Sequence, residues 1–177
     1  MANSRSDVRG IEHVGITVPD LEAATKYFAD VLGAVFVYDV LKKPDLGPEL
    51  EATLGVPKGS VVKQVRLIRL GDGANLELFE YSVPEGQRQA NRPCDFGLQH
   101  FAICVDDIEA VAARVTKFGG KVLNRIMDLP DLDGGKNNRF VYTNLPWGGT
   151  MELITFPSPQ NYTATTSVRK WVPDKQS

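Results

Sequence analysis

His13 and His100 are the only two histidines in the chain, and Glu77 and Glu152 are carboxylates set in matching apolar contexts. Neutral imidazole and carboxylate together suit a divalent first-row metal such as Zn, Fe, Co, Ni or Mn. Four protein ligands around an octahedral ion leave two neighbouring positions for water or for a substrate offering adjacent oxygens. A metal held this way acts as a Lewis acid on a bound hydroxyl or on the C–H beside a bound carbonyl. A single histidine or glutamate in a strand is more often structural than a ligand. What points to chemistry here is that both residue types occur twice, in equivalent places.

The equivalence comes from an internal repeat. Residues 11–37 align without a gap on residues 98–124, at a constant offset of 87. His13 falls on His100, Ile16 on Ile103, Val18 on Val105, Asp20 on Asp107, Glu22 on Glu109 and Gly33 on Gly120. Each copy opens as a strand. Val14, Ile16 and Val18 share one face, and His13, Gly15 and Thr17 the other. Phe101, Ile103 and Val105 oppose His100, Ala102 and Cys104 in the same way. A slip of one residue would invert these faces, so the shared register carries information.

A helix follows each strand. Asp20 and Asp107 are the expected N-caps. Leu21, Ala24, Phe28, Val31 and Leu32 form an apolar stripe at helical spacing, which Ile108, Val111, Val115 and Phe118 repeat. Gly33 and Gly119–Gly120 stop the helices. Strands are expected at about 34–40 and 121–126, then at 61–70, 74–81, 138–144 and 149–156. NLELF at 75–79 matches TMELI at 150–154, so each glutamate alternates with core residues and points to the histidine face. Residues 42–60 are a Pro-, Gly- and charge-rich excursion with one helical turn at 48–54. The expected organisation is a tail at 1–10, a first strand–helix–strand–strand–strand module at 11–80, a linker at 81–97, a second module at 98–156 and a tail at 157–177. That last tail is expected to pack on the body or on a second subunit. Repeated units of this kind bury together faces that neither could bury alone.

Bulk properties narrow the partners. A net charge of −2 argues against nucleic acid or an anionic membrane. No apolar run approaches the ~20 residues of a membrane span. The N-terminus has no apolar core of a secretory signal, so a cytoplasmic protein acting on a small molecule is expected. Cys94 and Cys104 do not make a disulfide framework. Arg66, Arg69, Arg88, Arg92, Arg125 and Arg139 could hold an anion. Surface solubility is the simpler reading of each, and alternation lets at most one of Arg66 and Arg69 face the site. Phe79, Tyr142 and Trp147 read as packing residues.

On IEHVGITV and LQHFAICVDD for the first strands, and NLELFEY and TMELITF for the last, the chain resembles the vicinal oxygen chelate superfamily. That family includes glyoxalase I, methylmalonyl-CoA epimerase, fosfomycin-resistance proteins and extradiol dioxygenases. The resemblance spans residues 11–156. It implies an α+β fold of two tandem βαβββ modules forming a cupped mixed sheet around one divalent metal. It also implies His13, Glu77, His100 and Glu152 as the ligands and a homodimer as the assembly. The His/Glu/His/Glu set is similar to bacterial glyoxalase I, whereas methylmalonyl-CoA epimerase usually has Gln at the position of Glu77. The implied activity is an isomerase, epimerase or lyase working through an enediolate or enolate, with Glu152 or Glu77 as the base. An extradiol-type dioxygenase ranks lower, since those enzymes carry a further active-site histidine. A metal-free, small-molecule-sequestering resistance protein also ranks lower, because such members lose the ligands.

Overall fold

A computed structural model of the chain describes residues 9–41, 44 and 48–173. Most of the expected N-terminal tail, residues 42–43 and 45–47 of the excursion, and the last four residues lie outside the described residues. Contacts divide the chain into two compact units. One comprises Met1–Thr25 with Val35–Pro84, and the other Lys26–Ala34 with Glu85–Ser177.

The first unit is built on β1 (His13–Val18), the start of α1 (Leu21–Leu32), β2 (Val35–Leu41), α2 (Pro48–Leu54), β3 (Val61–Arg69) and β4 (Asn75–Ser82). The sheet order is β1-β4-β3-β2. First and last strands therefore lie side by side and parallel, with Val14 opposite Leu76, Gly15 opposite Glu77 and Ile16 opposite Leu78. The expected faces are borne out. Val18, Leu76, Leu78 and Ile68 are buried, while His13, Gly15 and Thr17 are exposed. Full burial of a leucine such as Leu78 contributes about 1.5–3 kcal/mol. Asp20 caps α1 by accepting from Ala23 N at 2.8 Å. Glu80 joins it by accepting from Leu21 N at 3.0 Å, which sets a carboxylate at the positive end of the helix.

Arg66 lies on the helix side of this sheet. It donates to Asp39 and Glu22 at 2.7 Å each and to Thr25 at 3.1 Å. These two carboxylates, with Glu22 foremost, hold its guanidinium firmly protonated. Arg66 therefore clamps helix to sheet and does not face the glutamate. Strand β2 is the sheet's far edge, and Val35, Phe36, Val37, Tyr38 and Val40 along it are all about half-exposed.

The second unit repeats the plan with β5 (Phe101–Cys104), α3 (Ile108–Lys117), β6 (Lys121–Val122), β7 (Met127–Asp128), β8 (Arg139–Asn144) and β9 (Thr150–Thr155). Its order is β5-β9-β8-β6, with β7 also on β8. β5 and β9 are parallel, with Ala102 opposite Glu152. Asp107 caps α3 by accepting from Ala110 N at 2.9 Å. Ile108, Val115, Val141, Met151 and Leu153 form the core. The strand expected over 121–126 is interrupted. Leu123 N still reaches Tyr142 O, but the Asn124 side chain takes the Arg125 N–H, and this local bond competes with the ladder.

Residues 26–34 of α1 belong to this second unit. There Tyr27, Phe28 and Trp147 meet edge to face, with centroids 5.5–5.8 Å apart. Trp147 is the packing residue expected. The C-terminal tail closes on the 130–135 loop: Asn161 N donates to Gly134 O and Tyr162 N to Leu132 O, each at 2.9 Å, within and beside a 3-10 turn at Asn161–Ala164. Among the described residues, no helix is long and apolar enough to cross a membrane.

Gly120 leaves no room for a side chain. A Cβ there would lie 2.7 Å from both Tyr27 Oη and Val115 Cγ1 and 2.9 Å from Asn144 O. Gly120→Ala is expected to destabilise the protein by about 1–3 kcal/mol, as overpacking does, measured by urea unfolding followed at the tryptophans.

Candidate metal and proton-transfer site

Each unit brings one histidine against one glutamate. In the first, His13 Nε2 lies 3.3 Å from Glu77 Oε2. In the second, His100 Nε2 lies 2.9 Å from Glu152 Oε2. The topology explains why. The parallel partner of each glutamate is Gly15 or Ala102, two residues beyond the histidine. Such small residues leave the carboxylate free to reach the imidazole on the same face.

The other ring nitrogen is anchored in both units by the residue just before the histidine. His13 Nδ1 contacts Glu12 Oε2 at 2.5 Å, and Asn75 Nδ2 donates to Glu12 Oε1 at 3.0 Å. His100 Nδ1 contacts Gln99 Oε1. A carboxylate or amide oxygen accepts, so each Nδ1 carries a hydrogen. A neutral ring then turns its Nε2 lone pair toward a carboxylate oxygen. Two lone pairs at that distance repel unless a proton or a cation lies with them. An outer oxygen fixing the tautomer, with Nε2 and a carboxylate aimed at one point, suits divalent-metal ligation. The donor set therefore fits the expected metal. Among the described residues, no single cluster gathers three or more His, Cys, Asp or Glu side chains placed to hold an ion. The four candidates stand as one pair in each unit.

The surroundings of the two pairs differ. The His13 side chain is 43% exposed and Glu77 18%; for His100 and Glu152 the values are 27% and 10%. In the second unit Tyr142 lies directly across the strand from Glu152 and meets the His100 ring edge-on at 5.2 Å. Burial pushes the Glu152 carboxyl up, and His100 opposes this. Burial and then the Glu152 charge raise the Tyr142 phenol. In the first unit Leu67 occupies the place across from Glu77, and Tyr81 stacks on Phe79 at 5.8 Å. Cys104 lies on the His100 face, but burial raises its thiol and keeps it protonated.

Sequence reasoning missed Glu12, Gln99 and the site role of Tyr142. The first two were within reach, because they occupy the same register position in IEH and LQH. Of the arginines, Arg66 and Arg139 are committed to Glu22 and Glu109, the equivalent glutamates of the two helices.

A parallel first-to-last strand pair repeated in two α+β units, each with a His–Glu contact on one face, defines a class of fold and site. The family model for the Glyoxalase/Bleomycin resistance protein/Dioxygenase superfamily matches residues 12–142, and the chain belongs to that family. A 2-epi-5-epi-valiolone epimerase from an Actinomyces species is 35% identical over 167 residues, covering 93% of this chain and 88% of that protein. Among solved structures, a Bacillus cereus glyoxalase family protein superposes with a TM-score of 0.67 at 18% identity, over 87% of this chain and 98% of its own. The trypanothione-dependent glyoxalase I of Leishmania major gives 0.52 at 18% identity, over 89% and 91%. Both share the fold.

The Glu12 carboxylate, and then the Glu77 charge, hold His13 above the ordinary histidine pKa of 6.5. A raised folded-state value stabilises the fold below about pH 6.5, and this is lost as pH rises through the raised value. Glu12→Gln is expected to bring the His13 titration down. Proton NMR of the metal-free protein, with only two imidazoles to resolve, checks this.

Proposed function

We propose that this protein is a divalent-metal-dependent epimerase of the glyoxalase-like type, acting on a small molecule that presents neighbouring oxygens beside an acidic C–H. The observation that carries this is the repeated Nδ1-anchored histidine aimed at a carboxylate. The epimerase relative supports it. We read His13, Glu77, His100 and Glu152 as the ligands of one metal, with its identity among Ni, Co, Zn, Fe and Mn. When bound, the metal supplies Lewis acidity to the substrate's adjacent oxygens.

The chain's own residues do the rest. Glu152 or Glu77 removes the proton from the carbon beside the carbonyl, leaving an enolate whose reprotonation on its opposite face inverts the centre. No histidine beyond the two ligand candidates exists for this task. Glu12 and Gln99 orient the imidazoles. Tyr142 covers one side of His100 and shields Glu152 from water. Such shielding strengthens the electrostatic stabilisation of an enolate oxygen. The relative's name makes 2-epi-5-epi-valiolone the first substrate to test.

Purified protein is expected to hold divalent metal, and EDTA treatment to abolish deuterium uptake from D2O into this ketone until metal is restored. Glu77→Gln and Glu152→Gln separate the roles. The variant lacking the base should lose about 10²–10⁴-fold in exchange rate while metal is retained. Elemental analysis with NMR of the exchanged product reads both. Undiminished exchange in both variants with metal still bound overturns the assignment of the base.

We also propose a homodimer. Its support is the apolar edge strand β2, since an unpaired apolar edge invites pairing with another chain. Tyr38→Lys with Val40→Lys is expected to shift the mass from dimer to monomer in light scattering after size exclusion. We place the protein's action in the cytoplasm, in keeping with its two unpaired thiols.

A further inference from the structure

The C-terminal tail brings charge onto the face that carries Glu152. Alternation along β9 puts Glu152, Ile154 and the following Phe156 on one side of the sheet. The Lys170 ammonium lies 4.5 Å from the centre of the Phe156 ring, so it sits over that same side, at the far end from Thr150. Its position is fixed from several directions. Lys170 N donates to Tyr162 Oη at 3.1 Å. Its Nζ donates to Asp133 Oδ1 at 3.2 Å. Asp133 is held in turn by Gln160, a buried residue, whose Nε2 donates to Oδ1 at 2.9 Å. Both Lys170 and Asp133 lie within electrostatic reach of Glu152.

Both groups remain open to a ligand. The Lys170 side chain is 40% exposed and that of Asp133 59%. An ammonium has three donors, of which one is used by Asp133 and one faces the ring. Among the described residues, no donor reaches Asp133 Oδ2. A free donor beside a free acceptor matches a hydroxyl, which both accepts and donates. The charges also discriminate. Lys170 and Asp133 cancel, and Arg139 is committed to Glu109. A phosphate or carboxylate would meet the Asp133 and Glu152 carboxylates here, whereas a neutral hydroxyl-rich ring would find both partners it needs.

We propose that Lys170 and Asp133, joined by the C-terminal segment and the 130–135 loop, form a hydroxyl-binding subsite for a neutral polyhydroxylated substrate on the Glu152 face. This rests on the epimerase reading of the same site and names the chemistry of the substrate's non-reacting end. The two residues act in binding and take no part in proton transfer.

Saturation-transfer NMR on the metal-loaded protein tests it with myo-inositol as neutral probe and myo-inositol 1-phosphate as anionic probe. The neutral probe is expected to bind at least as well as the phosphate. Lys170→Met and Asp133→Asn should each weaken it by about tenfold, in line with the loss of a hydrogen bond to a charged group. Lys170→Arg should retain most of the binding. With 2-epi-5-epi-valiolone, Lys170→Met should raise KM by a similar factor while kcat and metal content hold. Near-UV circular dichroism verifies that each variant is folded. Stronger binding of the phosphate, no binding of the neutral probe to wild type, or an unchanged Kd in folded Lys170→Met overturns the subsite. Lys170-dependent binding of the neutral probe without deuterium exchange in wild type would overturn the epimerase reading and leave the subsite standing. Exchange with KM indifferent to Lys170 would do the reverse.

Discussion

The close approach of each histidine Nε2 to a glutamate oxygen is the interaction from which the rest of this structure takes its meaning. A lone pair turned toward a carboxylate is unfavourable unless something positive joins them. The chain commits the other nitrogen, Nδ1, to Glu12 or Gln99, which closes the alternative of turning the ring around. It places Gly15 and Ala102 where a larger side chain would crowd the carboxylate. It directs the spare carboxylates elsewhere: Glu80 to a helix N-terminus, Glu22 and Glu109 to arginines on the helix side. The side of β4 that each glutamate occupies thus separates Glu77, against His13, from Glu80, which takes the helix N-terminus and Lys63.

Duplication does not make the two pairs equal. Leu67 stands across from Glu77 and Tyr142 across from Glu152, and the second carboxylate is the more buried. Carboxylates of one type in unlike surroundings suit the proposed division into one base and one supporting ligand.

Much of this was legible in the sequence, for a physical reason. Strand alternation has a period of two and tolerates no slip, so the histidines, the glutamates and the helix caps Asp20 and Asp107 could be read from two matching stretches. Lateral neighbours were harder. That Tyr142 faces His100 depends on the pairing of β8 with β9, which no periodicity within either strand reveals. The break after Leu123 came from one asparagine bonding to the next backbone amide. Lys170 lies in a stretch without periodicity, and only the hydrogen bonds from residues 160–162 to the 131–134 loop show where it goes. Arg66 was narrowed by alternation to one side of a strand, and its carboxylate partners on α1 and β2 settle which side.

The parallel pairing of first strand to last has a consequence for biosynthesis. His13 leaves the ribosome early and Glu77 only when its module is almost complete, and the same holds for His100 and Glu152. The outer strands of each module pair across a long stretch of chain, the kind of non-local contact that slows folding. On the proposed four-ligand reading, a chain stopped before Glu152 lacks part of the donor set and holds metal weakly. Metal capture would then be a test of completed folding, passed only when both modules are finished.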